Sequence, residues 1–136
     1  MKAFTFQAPP NILFEAGACS KLAETVAGYG VERVLLVTDK GVRNAGLTKA
    51  AETSLAKNGF TLTVFDEVEA DPPSHIIERA IRLCRENKIE LVASIGGGSA
   101  LDTAKLVAYL AKSPDRLDDI YGVGLARGER LPLLLV

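Results

Sequence analysis

The sequence predicts an α/β domain in which a parallel sheet is covered by helices on both faces. The main observation is that short apolar runs of strand length alternate at least three times with longer segments of helical period. Parallel strands need crossover connections of about a dozen residues or more, and these are usually helices. A second observation is that Asn, Gly and Pro stand between these segments, where turns are needed.

Length and composition narrow the class of protein. The 136 residues fit one domain, and a hydrophobic share of 48% argues against a disordered chain. The net charge is −1 with Lys and Arg dispersed, so nucleic acid is not an expected partner. The longest apolar run, 131–136, is too short to span a membrane, and the N-terminus does not have the pattern of a secretory signal.

The first elements surround two prolines near the N-terminus, where short strands are predicted at 4–6 and 12–14. A helix is predicted at 19–27. The apolar side chains expected on its buried face are Leu22, Ala23, Val26 and Ala27. The next run, RVLLVT at 33–38, is short, partly β-branched and followed by Asp-Lys-Gly, which indicates a strand buried on both faces.

A second helix is predicted at 47–57. Its aligned apolar residues are Leu47, Ala51 and Leu55. The helix is expected to end before Gly59, because glycine accepts the left-handed conformation common at helix ends. Residues 60–65 are the next predicted strand.

The same alternation continues to the last residue. The remaining predicted elements are a helix opened by two prolines and Ser74 and ending near Asn87, a strand at 90–95, a helix at 99–111 and a strand at 131–136. Side chains expected to face the core from the two helices are Ile76, Ile77, Ala80, Ile81, Cys84, Leu101, Ala104 and Ala108. Parallel sheets of this kind bind ligands beyond the carboxyl ends of the strands, so functional residues are expected just after Thr38, Val68 and Ile95.

The two cysteines, Cys19 and Cys84, lie on predicted helices beside apolar residues. Neither belongs to a CxxC motif or a Cys/His cluster. We therefore expect two reduced, buried thiols in a cytoplasmic protein.

The most informative segment is the run Gly96, Gly97 and Gly98 between a predicted buried strand and a predicted helix. Backbone N–H groups without side chains can approach a ligand closely, and the N-terminus of the helix attracts negative charge. The segment therefore predicts a site for a pyrophosphate. The alternative is a tight turn with no ligand, although one glycine would be enough for a turn.

This segment is not a G-x-G-x-x-G fingerprint, because Leu101 stands where the last glycine would be, and no Gly-Lys-Ser/Thr follows for a Walker A loop. The residues alone predict a phosphate-bearing ligand at a helix N-terminus. Ser99 and Asp102 are candidate ligand contacts, but they also fit a capping box that would only stabilise the start of the helix.

Three polar residues outside the glycine segment are further candidates. Asp39 follows the RVLLVT strand, where a carboxylate can bind a ribose diol and repel a 2′-phosphate; a turn-forming role is the alternative. Asp71 precedes a proline, and its position favours a turn or helix start. His75 is the only histidine and fits a solvated first helical turn better than a catalytic base.

Taken together, Gly96, Gly97, Gly98, Ser99, Asp102 and Lys105 resemble the GGGSxxDxAK signature of the iron-containing alcohol dehydrogenases. Supporting similarities are Ile-Leu-Phe at 12–14, the RVLLVTDKG segment at 33–41 and Asp-Pro at 71–72. The resemblance extends over essentially all 136 residues. One departure is Glu15, which stands where the family usually has glycine and puts only the local turn in question.

The resemblance implies that residues 1–136 are a Rossmann-like NAD(P)-binding domain, the N-terminal domain of a dehydroquinate synthase-like fold. It implies that the glycines and Ser99 hold the pyrophosphate and that Asp39 contacts the adenosine ribose, so NAD is favoured over NADP. Asp71 matches a position where the family often carries Asn near the cofactor. The family's second, helical domain holds Fe²⁺ or another divalent metal through one Asp and three His, and this chain is expected to stop before it.

The implied activity is hydride transfer between NAD and an alcohol or aldehyde, assisted by metal in the complete enzyme. The 136-residue chain alone is expected to be inactive, with no catalytic or metal-binding residue of its own. The alternatives are a metal-independent enzyme of the maleylacetate reductase type and a non-catalytic nucleotide-binding module. Glycerol dehydrogenase and dehydroquinate synthase share the implied fold. A homo-oligomer is expected, because residues 4–6 alternate like an exposed edge strand.

Overall fold

The computed structural model describes residues 3–5 and 8–136, and these form an α/β fold around a four-stranded parallel sheet. The strand order is β2-β1-β3-β4. The strands are β1 (Arg33–Val37), β2 (Thr61–Phe65), β3 (Leu91–Ser94) and β4 (Leu133–Leu135). This architecture confirms the predicted fold class, and each of the four strands lies within a predicted run.

Five α-helices accompany the sheet in the part of the chain that the structure describes. They are α1 (Leu22–Ala27), α2 (Lys40–Asn44), α3 (Lys49–Lys57), α4 (Ser74–Glu86) and α5 (Gly98–Leu110). Two 3₁₀ turns, Ala18–Lys21 and Leu117–Ile120, precede α1 and follow α5. The short helix α2 directly follows β1, where the sequence predicted only a turn, because five residues carry too little apolar period to indicate a helix.

Strand β1 lies at the centre of the sheet and is covered on both faces. Its register pairs Leu35 with Thr63 of β2 and with Val92 of β3. Alternate residues of β1 and β3 enter two separate cores: Leu35 and Val92 pack with α4 and α5, whereas the neighbouring residues of each strand pack with α1 and α3. This two-sided burial explains why both strands are almost continuously apolar.

The predicted buried faces of the helices are largely correct. All five apolar residues named for α4 are buried, as are Ala104 and Ala108 of α5. Leu47 is wrong, because α3 begins at Lys49 and leaves Leu47 in the preceding turn, 61% exposed. Ala27 is also exposed, since it is the last residue of the short helix α1.

The predicted N-terminal strands are not observed among the described residues. Residues 12–14 have no regular structure, and Phe14 is fully exposed. Apolar residues form a strand only where a neighbour can pair with their backbone, and the described sheet pairs elsewhere. Phe4 and Thr5 also lack regular structure, and Phe6 lies outside the described residues.

The long connection from α5 to β4 is held by Tyr109. Its hydroxyl donates to Oδ2 of Asp115 at 2.5 Å and accepts from the backbone N–H of Gly128 at 3.1 Å. The hydrogen bond from Tyr109, together with one involving Ser113, holds the pKa of Asp115 below its usual value. A third hydrogen bond, from Leu131 N to Ala108 O at 2.9 Å, holds the end of this connection against α5 just before β4.

None of the helices in residues 3–5 and 8–136 has both the length and the apolar character needed to cross a bilayer.

Both cysteines are free thiols, as predicted, although only Cys84 is fully buried. Burial in the core between α4 and the sheet raises the pKa of Cys84 to about 12.

At pH 8 we expect iodoacetamide to modify Cys19 of the folded protein and to leave Cys84 unmodified, because the thiolate is the reactive species. Peptide mass spectrometry measures both sites, and the denatured chain, in which both should react, is the control. Equal rates in the folded protein would contradict the burial of Cys84.

Candidate functional site

The candidate site lies where the carboxyl ends of β1 and β3 meet. The chain passes from β1 to β2 on one side of the sheet, then crosses back to β3 and continues outward to β4. The connections that leave β1 and β3 therefore diverge, which opens a crevice between two neighbouring strand ends. Such a switch point is the usual ligand position in sheets of this kind. The residues that follow the two strands are Thr38 and Asp39 after β1, and Ile95 and Gly96 after β3.

Gly96 is required by packing and conformation. Its φ is 158°, and a Cβ atom added there would lie 2.9 Å from the Cβ of Ala100. This distance is shorter than side chains tolerate, so the first glycine allows the turn to fold tightly against α5. Gly97 and Gly98 differ, because a Cβ at either position would meet nothing within 4 Å. These two glycines leave open space above the start of α5.

Helix α5 begins in this open space without a side-chain cap. Gly97 is the N-cap residue, and the first helical hydrogen bond joins Leu101 N to Gly97 O at 3.1 Å. The N–H groups of the first turn have no partner within a helix, and they carry the positive end of the helix dipole. A helix of 13 residues with an uncapped, glycine-lined N-terminus can therefore receive an anion.

Ser99 and Asp102 do not form the capping box that was the alternative prediction. Because α5 starts at Gly98, Ser99 is its second residue rather than its cap, and its carbonyl accepts from Thr103 Oγ1 at 2.8 Å. Asp102 is exposed and forms an ion pair with Lys105 at 2.9 Å. Both residues lie in the first turns of the helix that faces the crevice.

Asp39 lies beside the glycine turn and combines two roles. One carboxylate oxygen, Oδ1, accepts from Val42 N at 2.8 Å and caps α2. The other oxygen, Oδ2, would lie 3.6 Å from a Cβ at Gly96. The structure thus brings together a half-buried carboxylate and the glycine loop. The turn predicted as the alternative role of Asp39 is instead a helix start, because one carboxylate oxygen caps α2.

Asp71 and His75 lie in the connection from β2 to α4. Asp71 is exposed and has a φ of 48°, a left-handed conformation that Asp tolerates better than most residues. Within the described ranges, no hydrogen bond links Asp71 to the glycine loop. His75 is exposed in the first turn of α4, as predicted.

Two polar residues at the candidate site, Thr38 and Ser94, were not among the predicted site residues, because in the sequence they belong to the predicted strands. The hydroxyl of Thr38 is buried and donates to the carbonyl of Ile95 at 2.7 Å, which links the chain after β1 to the chain after β3. The hydroxyl of Ser94 is buried and has no hydrogen-bond partner among the residues that the structure describes. A polar residue at the last position of a buried parallel strand, or directly after it, is the pattern that could have indicated them.

These features fit a dinucleotide such as NAD, because a phosphate cradle lies beside a carboxylate suited to a ribose diol. The described residues do not fit a metal ion in the same way. Across residues 3–5 and 8–136, no group of three or more His, Cys, Asp or Glu side chains could hold a metal ion. We therefore assign no metal-binding role to any residue described here.

Comparisons with known proteins agree with this geometry. The family profile described as iron-containing alcohol dehydrogenase matches residues 9–136. "Alcohol dehydrogenase 4" of Saccharomyces cerevisiae strain YJM789 is 30% identical over 131 residues, which are 96% of this chain and 34% of the yeast protein. "NADH-dependent butanol dehydrogenase A" of Clostridium acetobutylicum is 33% identical over 109 residues, covering 79% of this chain and 28% of that protein.

Solved structures show the same relationship. The crystal structure of 1,3-propanediol oxidoreductase superposes with a TM-score of 0.91 at 25% sequence identity. The match covers 98% of this chain and 35% of the other. The chain thus spans about a third of the length of the relatives that it matches.

The packing around the first glycine leads to a stability prediction. Gly96→Ala should destabilise the protein by about 1–3 kcal/mol, because the new methyl group clashes with Ala100. Gly98→Ala is the matched control: it adds the same methyl to open space at a helical position, where alanine is neutral or stabilising by up to about 1 kcal/mol. Urea unfolding measures both variants. Equal effects would show that the turn is not held against α5.

Proposed function

The chain belongs to the iron-containing alcohol dehydrogenase family, and on this premise we propose that it is the NAD-binding part of an alcohol dehydrogenase. The enzyme would transfer a hydride between an alcohol or aldehyde carbon and NAD. The observation that carries the proposal is the juxtaposition of the uncapped, glycine-lined start of α5 with the carboxylate of Asp39 at the switch point of the sheet. The names of the yeast and clostridial relatives support the reaction and the cofactor.

In this proposal the residues of the chain bind and orient the cofactor. The backbone N–H groups of Gly97, Gly98 and Ser99 would hold the pyrophosphate, because they line the start of α5. Asp39 would accept hydrogen bonds from the adenosine ribose through Oδ2, the oxygen nearer the glycine turn. When bound, the nicotinamide supplies the carbon that accepts or gives the hydride.

Two further cofactor contacts are proposed, at Asp102 and Asp71. Asp102 lies one turn into α5, exposed to solvent, and is proposed to face the cofactor. Asp71 is proposed to contact it from the loop after β2, which also leaves the carboxyl edge of the sheet. The iron in the family's name is not placed, because the described residues do not form a site for it.

Self-association and a cytoplasmic location are also part of the proposal. Several large apolar side chains near the N-terminus are strongly exposed in the described chain: Phe4, Ile12, Leu13 and Phe14. Clustered apolar exposure favours association, so we propose a homo-oligomer that covers this segment. The two free thiols favour a reducing compartment such as the cytoplasm.

The cofactor site is tested by Gly97→Val. A Cβ at this position meets nothing within 4 Å, so the branched side chain should fit the fold and fill the open cradle instead. We expect calorimetry to show loss of NAD binding with a nearly unchanged circular dichroism spectrum. Gly28→Val, at the end of α1 on the amino side of β1, is the control and should bind NAD normally. Unaltered NAD affinity in Gly97→Val would remove the glycine loop from the site.

Cofactor preference is tested by Asp39→Asn. The amide oxygen can still accept from Val42 N and cap α2, whereas the negative charge that repels a 2′-phosphate is gone. We expect the preference for NAD over NADP to fall by about tenfold or more, because this ratio corresponds to the free energy typical of one charge contact. Calorimetric titration with both cofactors gives the ratio. An unchanged ratio would contradict the ribose assignment.

A further inference from the structure

Thr38 is a buried polar residue to which the proposed function gives no role. Its side chain is 0% exposed, and its hydroxyl donates to the carbonyl of Ile95 at 2.7 Å. Thr38 directly precedes Asp39, and Ile95 directly precedes Gly96. A side-chain hydrogen bond therefore joins the residue before Asp39, the proposed ribose contact, to the residue before the glycine loop, the proposed pyrophosphate contact.

This bond lies where the backbone connection between β1 and β3 stops. The last backbone bond of that strand pair runs from Ile95 N to Val37 O at 3.2 Å. Beyond it, the chain after β1 turns into α2 and the chain after β3 turns into α5. The Thr38 hydroxyl adds one further link across the pair at the point of divergence.

The backbone of Thr38 is held from the other side. Its N–H donates to Phe65 O at 2.9 Å, and its carbonyl accepts from Val68 N at 3.4 Å. Thr38 is thus fixed against β2 by its main chain and against β3 by its side chain. A valine side chain has nearly the same shape and would fill the same space, but it could not donate a hydrogen bond to the carbonyl of Ile95.

We propose that Thr38 is a positioning residue that fixes the separation between the Asp39 carboxylate and the glycine loop. This inference rests on the proposed function. A ligand that spans two subsites gains from both only when their separation matches its own length. The ligand class is therefore a dinucleotide that engages Asp39 through its ribose and the start of α5 through its pyrophosphate.

The experiment compares whole and half ligands on the full chain. Thr38→Val removes the hydroxyl, and Thr38→Ser retains it with less packing. Thr48→Val is the matched control, because Thr48 is another buried threonine whose hydroxyl is bonded, at 2.7 Å, but to Glu52 of α3 and not to the chain after β1 or β3. Calorimetry measures NAD binding, NMR titration measures adenosine and inorganic pyrophosphate, and urea unfolding measures stability.

We expect Thr38→Val to weaken NAD binding by about fivefold to tenfold, the effect of one hydrogen bond. Adenosine and pyrophosphate should each bind Thr38→Val as they bind the unmodified chain, within about twofold. Thr38→Ser should restore most of the NAD affinity. Thr48→Val should lower stability while leaving NAD affinity unchanged.

Three outcomes would overturn the inference. Equal NAD affinity in Thr38→Val and the unmodified chain would show that the hydroxyl does not set the separation. An equal loss for NAD, adenosine and pyrophosphate would show a general structural role. Absence of NAD binding by the unmodified chain would overturn the proposed function and the inference with it, whereas the first two outcomes leave the proposed function intact.

Discussion

Burial of β1 on both faces is the constraint from which the rest of the structure follows. The side chains from Val34 to Val37 are fully inaccessible, and they divide alternately between the α1–α3 core and the α4–α5 core. A strand in this position can carry no exposed functional group along its length. Chemistry is therefore confined to its ends, and at the carboxyl end the chain first regains polar residues, with Thr38 and Asp39.

The parallel connections then bring separate strand ends to one place. Because every strand in the described sheet runs in the same direction, the loops after β1 and β3 leave the same edge. Neighbouring loops that turn in opposite directions leave a crevice instead of a packed surface. Asp39 and Gly96 are 57 residues apart in sequence, yet this topology places the carboxylate against the glycine turn.

The sequence predicted the sheet because its strands and helices depend on local patterns, and it placed the candidate residues Asp39 and Gly96 after strands that the structure contains. Continuous apolar runs gave the strands, and the apolar face of α4 was correct at every named position. The errors arose where tertiary partners decide the structure. Residues 12–14 have the apolar character of a strand but lack one here, and Leu47 follows the helical period although α3 begins two residues later. The Thr38–Ile95 bond joins two strands, so no local pattern contains it.

The two helices that begin at this edge of the sheet differ in how their first turns are capped. Helix α2 is short and is capped by Asp39 through one oxygen, so the carboxylate is anchored while its second oxygen lies toward the glycine turn. Helix α5 is long and has no side-chain cap, so the N–H groups of its first turn are left without a capping side chain. A cap on α5 would satisfy those groups locally and compete with an anion. The glycines prevent this because they have no side chain to donate or accept. The candidate site thus combines a helix start whose N–H groups have no capping side chain with an Asp39 carboxylate of which one oxygen caps α2.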